Sequence, residues 1–167
     1  MIEQAFLNYS AEQLLTYTGR IEDCLARLSA EQVWMRGSDN QNAVGNVVLH
    51  LCGNVRQWII SGVGGQPDIR DRDAEFAARG GPQALELAAK LKATATEAAE
   101  VIRKLPLERL TEAKTIQKVY NPTIMEAIYH VVEHFAQHAG QIIYATKLLT
   151  SEDLGYYKHL SRSSSGA

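Results

Sequence analysis

The chain has 167 residues, 46% hydrophobic and 22% charged, with a net charge of −2. That length suits one domain with a substantial core. The near-neutral balance gives no reason to expect nucleic-acid or membrane-surface binding.

No apolar run approaches the roughly 18 residues needed to span a bilayer. The start, "MIEQAFLNYSAEQ", lacks a basic stretch followed by an apolar one, so no secretory signal is expected. Cys24 and Cys52 fit no metal or redox spacing. Both are expected as free thiols in a reducing cytoplasm.

Helix signals are long and strand signals scarce. A first helix is predicted from about Glu3 to Leu28, apolar at Phe6, Leu7, Leu14, Leu15, Ile21, Leu25 and Leu28. Ser29 opens "SAEQ", a capping-box pattern that predicts a short helical turn. A second helix is predicted from about Ala43 to Ile60, with Asn40 or Asn42 as its cap. The loop "SGVGGQPDIRDRDAEFAARGGP" follows, rich in glycine and charge. A third helix is predicted from near Pro82 to about Lys104. "LPLERLTEAKTIQKVYNP" reads as a connector, extended around Thr115 to Tyr120. Asn121 and Pro122 then read as cap and first residue of a fourth helix ending near Leu149. The bundle domain is expected over residues 1–150 and a tail over 151–167, with "SRSSSGA" mobile.

Four helices of this length predict an all-α four-helix bundle. Antiparallel neighbours need only short loops. The loop after the second helix, at about 3.3 Å per residue, can run the length of the bundle. A crossover between parallel second and third helices is therefore expected.

Three of the five histidines, His130, His134 and His138, lie four residues apart in the fourth helix. With His134 set to zero on a helical wheel, His138 falls at about +40° and His130 at about −40°. The apolar arc of Ile124, Ile128, Val131, Phe135, Ala139 and Ile142 centres near +100°. An i, i+4 pair suits two imidazoles chelating one ion at about 2.1 Å. His130 and His138 are about 12 Å apart along the axis, so a third ligand should come from another helix. His159 reads as a surface residue.

His50 lies in the second helix, on a stripe with Asn46, Asn54 and Gln57. The apolar arc of that helix (Val44, Val48, Leu51, Val55 and Ile59) lies to the side. On pattern alone the stripe reads as a face toward water. The sharper reading is a polar groove between the second and fourth helices.

Other motifs carry less. "HVVEH" matches H-x-x-E-H, in which His130 and His134 would bind zinc with Glu133 as base. Peptidases with that pattern are far larger, and a chance match is the better reading. "GVGG" lacks the ending of a phosphate loop and a preceding strand. No pair of Glu-x-x-His motifs is present, which excludes a di-iron bundle. Nothing favours haem.

The lone histidine of "NVVLHLCGN" and the H-x-x-x-H of "HFAQHAGQI", with its Gly-Gln-Ile, resemble the DinB-like superfamily. That superfamily includes DNA-damage-inducible, YfiT-type and thiol-dependent transferase members. "NAVGNVVLHLCGNVRQWI" together with "RDRDAEF" resembles more closely one of its subfamilies without an assigned activity. The resemblance covers nearly the whole chain. It implies up-down-down-up topology and a divalent metal, zinc or nickel, held by His50, His134 and His138. It also implies a homodimer and chemistry on small molecules with low-molecular-weight thiols. His130 stands outside the motif.

Three neutral imidazoles leave a position open on a metal, as catalytic zinc sites do. The expected function is a cytoplasmic metal-dependent enzyme, a thiol-dependent S-transferase or a hydrolase acting on a small molecule. The alternative is a non-catalytic metal-binding or stress-response bundle. Gln141, Glu133 and His130 are candidate hydrogen-bond partners of the ligating imidazoles, Gln141 foremost. Arg70 and Arg72 are candidate substrate-binding residues, as an anion clamp. The competing reading is a set of internal salt bridges that pins the loop. Cys52 lies about 200° around the helix from His50, away from the metal. Trp34 and Trp58 read as core or groove wall.

Overall fold

A computed structural model describes residues 1–160. The described residues are helical, without named strands. Six α-helices form: α1 (Ile2–Arg27), α2 (Ala30–Trp34), α3 (Val44–Val55), α4 (Arg72–Ala77), α5 (Ala84–Arg103) and α6 (Ile124–Thr150). Helix α3 continues as a π-helical stretch, Arg56–Val63, marked by the Gly64 N–H bonding the Ile59 carbonyl. The "SRSSSGA" segment expected to be mobile lies outside the described residues.

The long helices form where the apolar periodicity places them. Leu7, Leu14, Ile21 and Leu25 from α1 meet Val48 and Leu51 from α3 in one buried cluster. Leu87, Leu91 and Ile102 from α5, and Ile128, Val131 and Phe135 from α6, complete it. Helix α1 packs on α5 and α6, and α3 packs on the same two. The groove between α3 and α6 brings the histidines together.

Caps differ from expectation where a local bond wins. Neither Asn40 nor Asn42 caps α3. Ala43 occupies the cap, and its N–H donates to the Asn46 side-chain oxygen from inside the helix at 3.1 Å. Helix α5 starts at Ala84 rather than near Pro82, because Glu86 reaches back to the Gln83 N–H at 2.8 Å. Helix α6 is capped by Thr123, not Asn121. Thr123 Oγ1 accepts from the Glu126 N–H, and the Glu126 carboxylate takes the Thr123 N–H. The expected capping box at Ser29 forms with Gln32.

The connector before α6 doubles back as a short hairpin, bridging Ala113 to Thr123 and Ile116 to Tyr120. Gln117 and Lys118 take the left-handed conformation at its tip. The hairpin docks through Ile116, close enough to Gly62 that a Cβ there would meet the Ile116 side chain at 2.8 Å. Beyond Thr150 the chain folds back on α1. Leu154 is buried, and the Tyr156 hydroxyl lies 3.0 Å from both the Arg20 carbonyl and an Asp23 carboxylate oxygen. Among the described residues no helix is long and apolar enough to cross a membrane.

The glycine-rich segment between α3 and α5 is not a plain loop. It contains α4, a helix too short to be stable alone. Asn46, fully buried, donates to the Glu75 and Ala78 carbonyls at 2.9 and 3.0 Å. Arg36 donates to Asn46 and to the Phe76 and Ala78 carbonyls. Asp71 caps α4 by accepting the Ala74 N–H. Asn46→Ala should therefore cost about 1–3 kcal/mol by orphaning the Glu75 carbonyl and the Ala43 N–H. Hydrogen exchange should also quicken across 72–78, and unchanged protection there would contradict the anchoring role.

Candidate metal centre

His50, on α3, and His134 and His138, one turn apart on α6, converge. Their ligand atoms all lie within 4.8 Å of one another. His50 Nε2 is 3.1 Å from His134 Nε2, which is 3.2 Å from His138 Nε2. Nitrogens held about 2.1 Å from a tetrahedral zinc would be about 3.4 Å apart. The spacing fits one divalent ion at their common focus.

The outer nitrogens are engaged. His50 Nδ1 lies 3.1 Å from Glu75 Oε2, and His138 Nδ1 lies 2.8 Å from Gln141 Oε1. An imidazole that donates through Nδ1–H keeps its lone pair on Nε2. Gln141 and Glu75 each offer an acceptor that favours this tautomer, although an Arg70 terminal nitrogen also lies 3.1 Å from His50 Nδ1. His134 Nδ1 is buried without a hydrogen-bond partner among the described residues.

Burial, with the neighbouring imidazoles and Arg70, pushes the pKa of His134 down from its ordinary 6.5 to about 3. Burial also lowers that of His138, against the Gln141 bond that raises it. Both rings are therefore neutral near pH 7 and free to ligate.

Glu75 was the residue whose role the sequence did not reveal. It stands on α4 with its side chain 9% exposed. Burial alone would raise its pKa, but hydrogen bonds and charge from Arg70 and His50 bring it below the ordinary value. Arg70 grips it with two bonds, Nε to Oε1 at 2.8 Å and a terminal nitrogen to Oε2 at 2.7 Å. The other terminal nitrogen donates to Gln57, which also takes a bond from Gln117 on the hairpin. Gly53 makes room for this ion pair, since a Cβ there would overlap the Glu75 carboxylate. The "HLCGN" and "RDRDAEF" segments thus meet at one point. In sequence, Gly53 one turn after His50 and a lone glutamate in the glycine-rich segment were the available signals.

The reading of the His50 stripe as a face toward water is overturned. Asn46, His50 and Asn54 are 0%, 6% and 4% exposed, because α4 and α6 cover them. His130 stays out of the cluster, its ring 4.3 Å from that of Trp58. H-x-x-E-H therefore does not describe the set that converges. Glu133 is exposed and hydrogen-bonds none of the three rings. Cys52 is buried, and desolvation pushes its thiol up to about 11. Cys24 is likewise buried and free.

A cavity of about 680 Å³ opens beside the cluster, lined in part by His50, His134, Asn54, Trp58 and His130. Among the described residues no fourth His, Cys, Asp or Glu joins the three histidines.

Fold and site together define an all-helical protein with a three-histidine centre able to hold a metal ion. The chain belongs to the family described as "Protein of unknown function (DUF1572)", whose model matches residues 1–163. It is similar in fold to the crystal structure of a conserved protein from Enterococcus faecalis. The two share 16% sequence identity at a TM-score of 0.69, over 86% of this chain and 96% of that one. No curated protein matches.

Two outcomes follow from this geometry. Glu75→Gln and Gly53→Ala should each weaken zinc binding by about 10–100-fold while His50 remains. Calorimetric titration with zinc would measure this, and wild-type affinity in both would contradict the role of Glu75. Metal-free protein should lose stability as pH falls. The lowered pKa values of His134 and His138 mean that the unfolded chain takes up protons first. Their contribution is complete above about 6.5 and declines toward about 3. The urea midpoint should fall between pH ~7.5 and ~5, and a rise would contradict the sign.

Proposed function

We propose that this protein is a DinB-like metal-dependent enzyme acting on a small molecule, with zinc or nickel held by His50, His134 and His138. The observation that carries the reading is the convergence of three Nε2 atoms beside an open cavity. A metal in that donor set supplies Lewis acidity that makes a thiol or water nucleophilic near neutral pH. Glu75 and Gln141 orient His50 and His138 toward the focus.

The reaction we propose is thiol-dependent S-transfer, with hydrolysis as the second possibility. The non-catalytic reading, in which an ion only fastens the helices, is disfavoured by the cavity. Structural zinc sites are closed by a fourth protein ligand, and none stands here among the described residues.

The proposed order of the four long helices is up-down-down-up, with α3 and α5 parallel. Supporting this, Arg56 pairs with Glu97, while further along each helix Gly64 approaches Val101. Arg27 at the end of α1 meets Glu152 just beyond the end of α6. A homodimer is proposed from the superfamily resemblance, and a cytoplasmic location from the two free cysteines.

Replacing His50, His134 or His138 by Ala should each remove most zinc or nickel affinity, and His130→Ala should not. Wild-type affinity in His134→Ala would contradict the ligand set. Metal-loaded protein should consume a low-molecular-weight thiol in the presence of electrophiles, and His138→Ala should not. Thiol loss unaffected by His138→Ala would contradict the proposed chemistry.

A further inference from the structure

We propose that the cavity beside the histidine cluster recognises a small organic monoanion, a carboxylate, through Arg72. This rests on the enzyme reading above and names the substrate class of that same site.

The two arginines of the "RDRD" segment divide their work. Arg70 is spent: its side chain is 3% exposed, and its nitrogens are committed to Glu75 and Gln57. Arg72 also lines the cavity, but it is exposed and makes no ion pair among the described residues. Its guanidinium carbon sits 4.9 Å from the centre of the Phe76 ring. The Phe76 ring in turn lies 4.8 Å from that of His50. A guanidinium held over an aromatic face is positioned without spending its N–H edges, which stay free for a forked bond to a carboxylate.

None of the acids nearby forms an ion pair with it among the described residues. Glu126 lines the cavity, but its carboxylate accepts from both the Thr123 N–H and hydroxyl. Glu75 is closed by Arg70 and His50. Asp71 caps α4, and neither it nor Asp73 lines the cavity. A single guanidinium without an ion-pair partner, in a cavity that also holds the Glu126 carboxylate, matches a monoanion better than a phosphate dianion.

The other wall suits a planar or apolar body. Tyr120, Pro122, Trp58 and His130 line it, the Trp58 ring 5.9 and 4.3 Å from those of Tyr120 and His130. A volume of about 680 Å³ accommodates a small organic molecule. In this pose the carboxylate meets Arg72, the body lies along Tyr120 and His130, and the remaining end reaches toward the three imidazoles.

The test uses calorimetry on metal-free and zinc-loaded protein with a panel of arylalkyl carboxylates, 3-phenylpropanoate among them, and their neutral amides. Carboxylates should bind both forms at millimolar concentration or better. Arg72→Gln should weaken them at least about tenfold with zinc content unchanged, and the amides should bind far less. Binding only to zinc-loaded protein, insensitive to Arg72→Gln, would place the carboxylate on the metal and overturn the proposal. Equal binding of the amides, or no binding by any member, would overturn it too. If zinc does not load at all, the metal reading fails while the metal-free titration still decides the role of Arg72.

Discussion

The site depends on one buried carboxylate. Glu75 stands on a six-residue helix that could not persist alone, yet it reaches the outer nitrogen of His50 and is locked there by Arg70. Burying an ion pair is costly unless its remaining lone pairs are satisfied. Here both oxygens are bonded to Arg70, and one of them also to His50. Gly53 lets the pair sit against α3, and Asn46 and Arg36 hold the surrounding backbone. The ring of His50 is thereby aimed at α6. Without this clamp, His134 and His138 would be an isolated pair on one helix.

That clamp explains what the sequence disclosed and what it withheld. The long helices were legible because their apolar residues repeat at the helical period, and Leu7, Leu51, Leu91 and Phe135 are all fully buried. The i, i+4 spacing of His134 and His138 likewise follows from helical geometry. The lone His50 was assigned to them by resemblance, and its neighbours Asn46 and Asn54 looked solvated. Polar residues on a helix read as a wet face unless something covers them. The cover is α4, which is too short for periodicity and is held by bonds from Asn46 and Arg36 at distant positions. The π-helical stretch after Val55 left no pattern either. Its visible trace is Gly62, where the hairpin's Ile116 packs closely.

The helical fold by itself does not assign a reaction. What separates a catalytic centre from a structural one is coordination and access. The three imidazoles have no fourth protein ligand among the described residues and stand beside a cavity with aromatic and polar walls. The same segment between α3 and α5 reaches both the histidine cluster and the cavity. Arg70 turns inward to hold Glu75, and Arg72, two residues on, remains at the cavity. His130 extends the α6 stripe into that cavity beside Trp58 without joining the metal focus.

The most direct test of the central claim is the metal content of protein purified without a histidine tag or chelating column, by elemental mass spectrometry, with His138→Ala prepared in parallel. The account predicts about one divalent ion per chain, as expected for a single three-imidazole site, and its loss in the variant. Protein that holds no ion, even after incubation with zinc or nickel at neutral pH, would contradict it and leave the three histidines as a buried polar contact between α3 and α6.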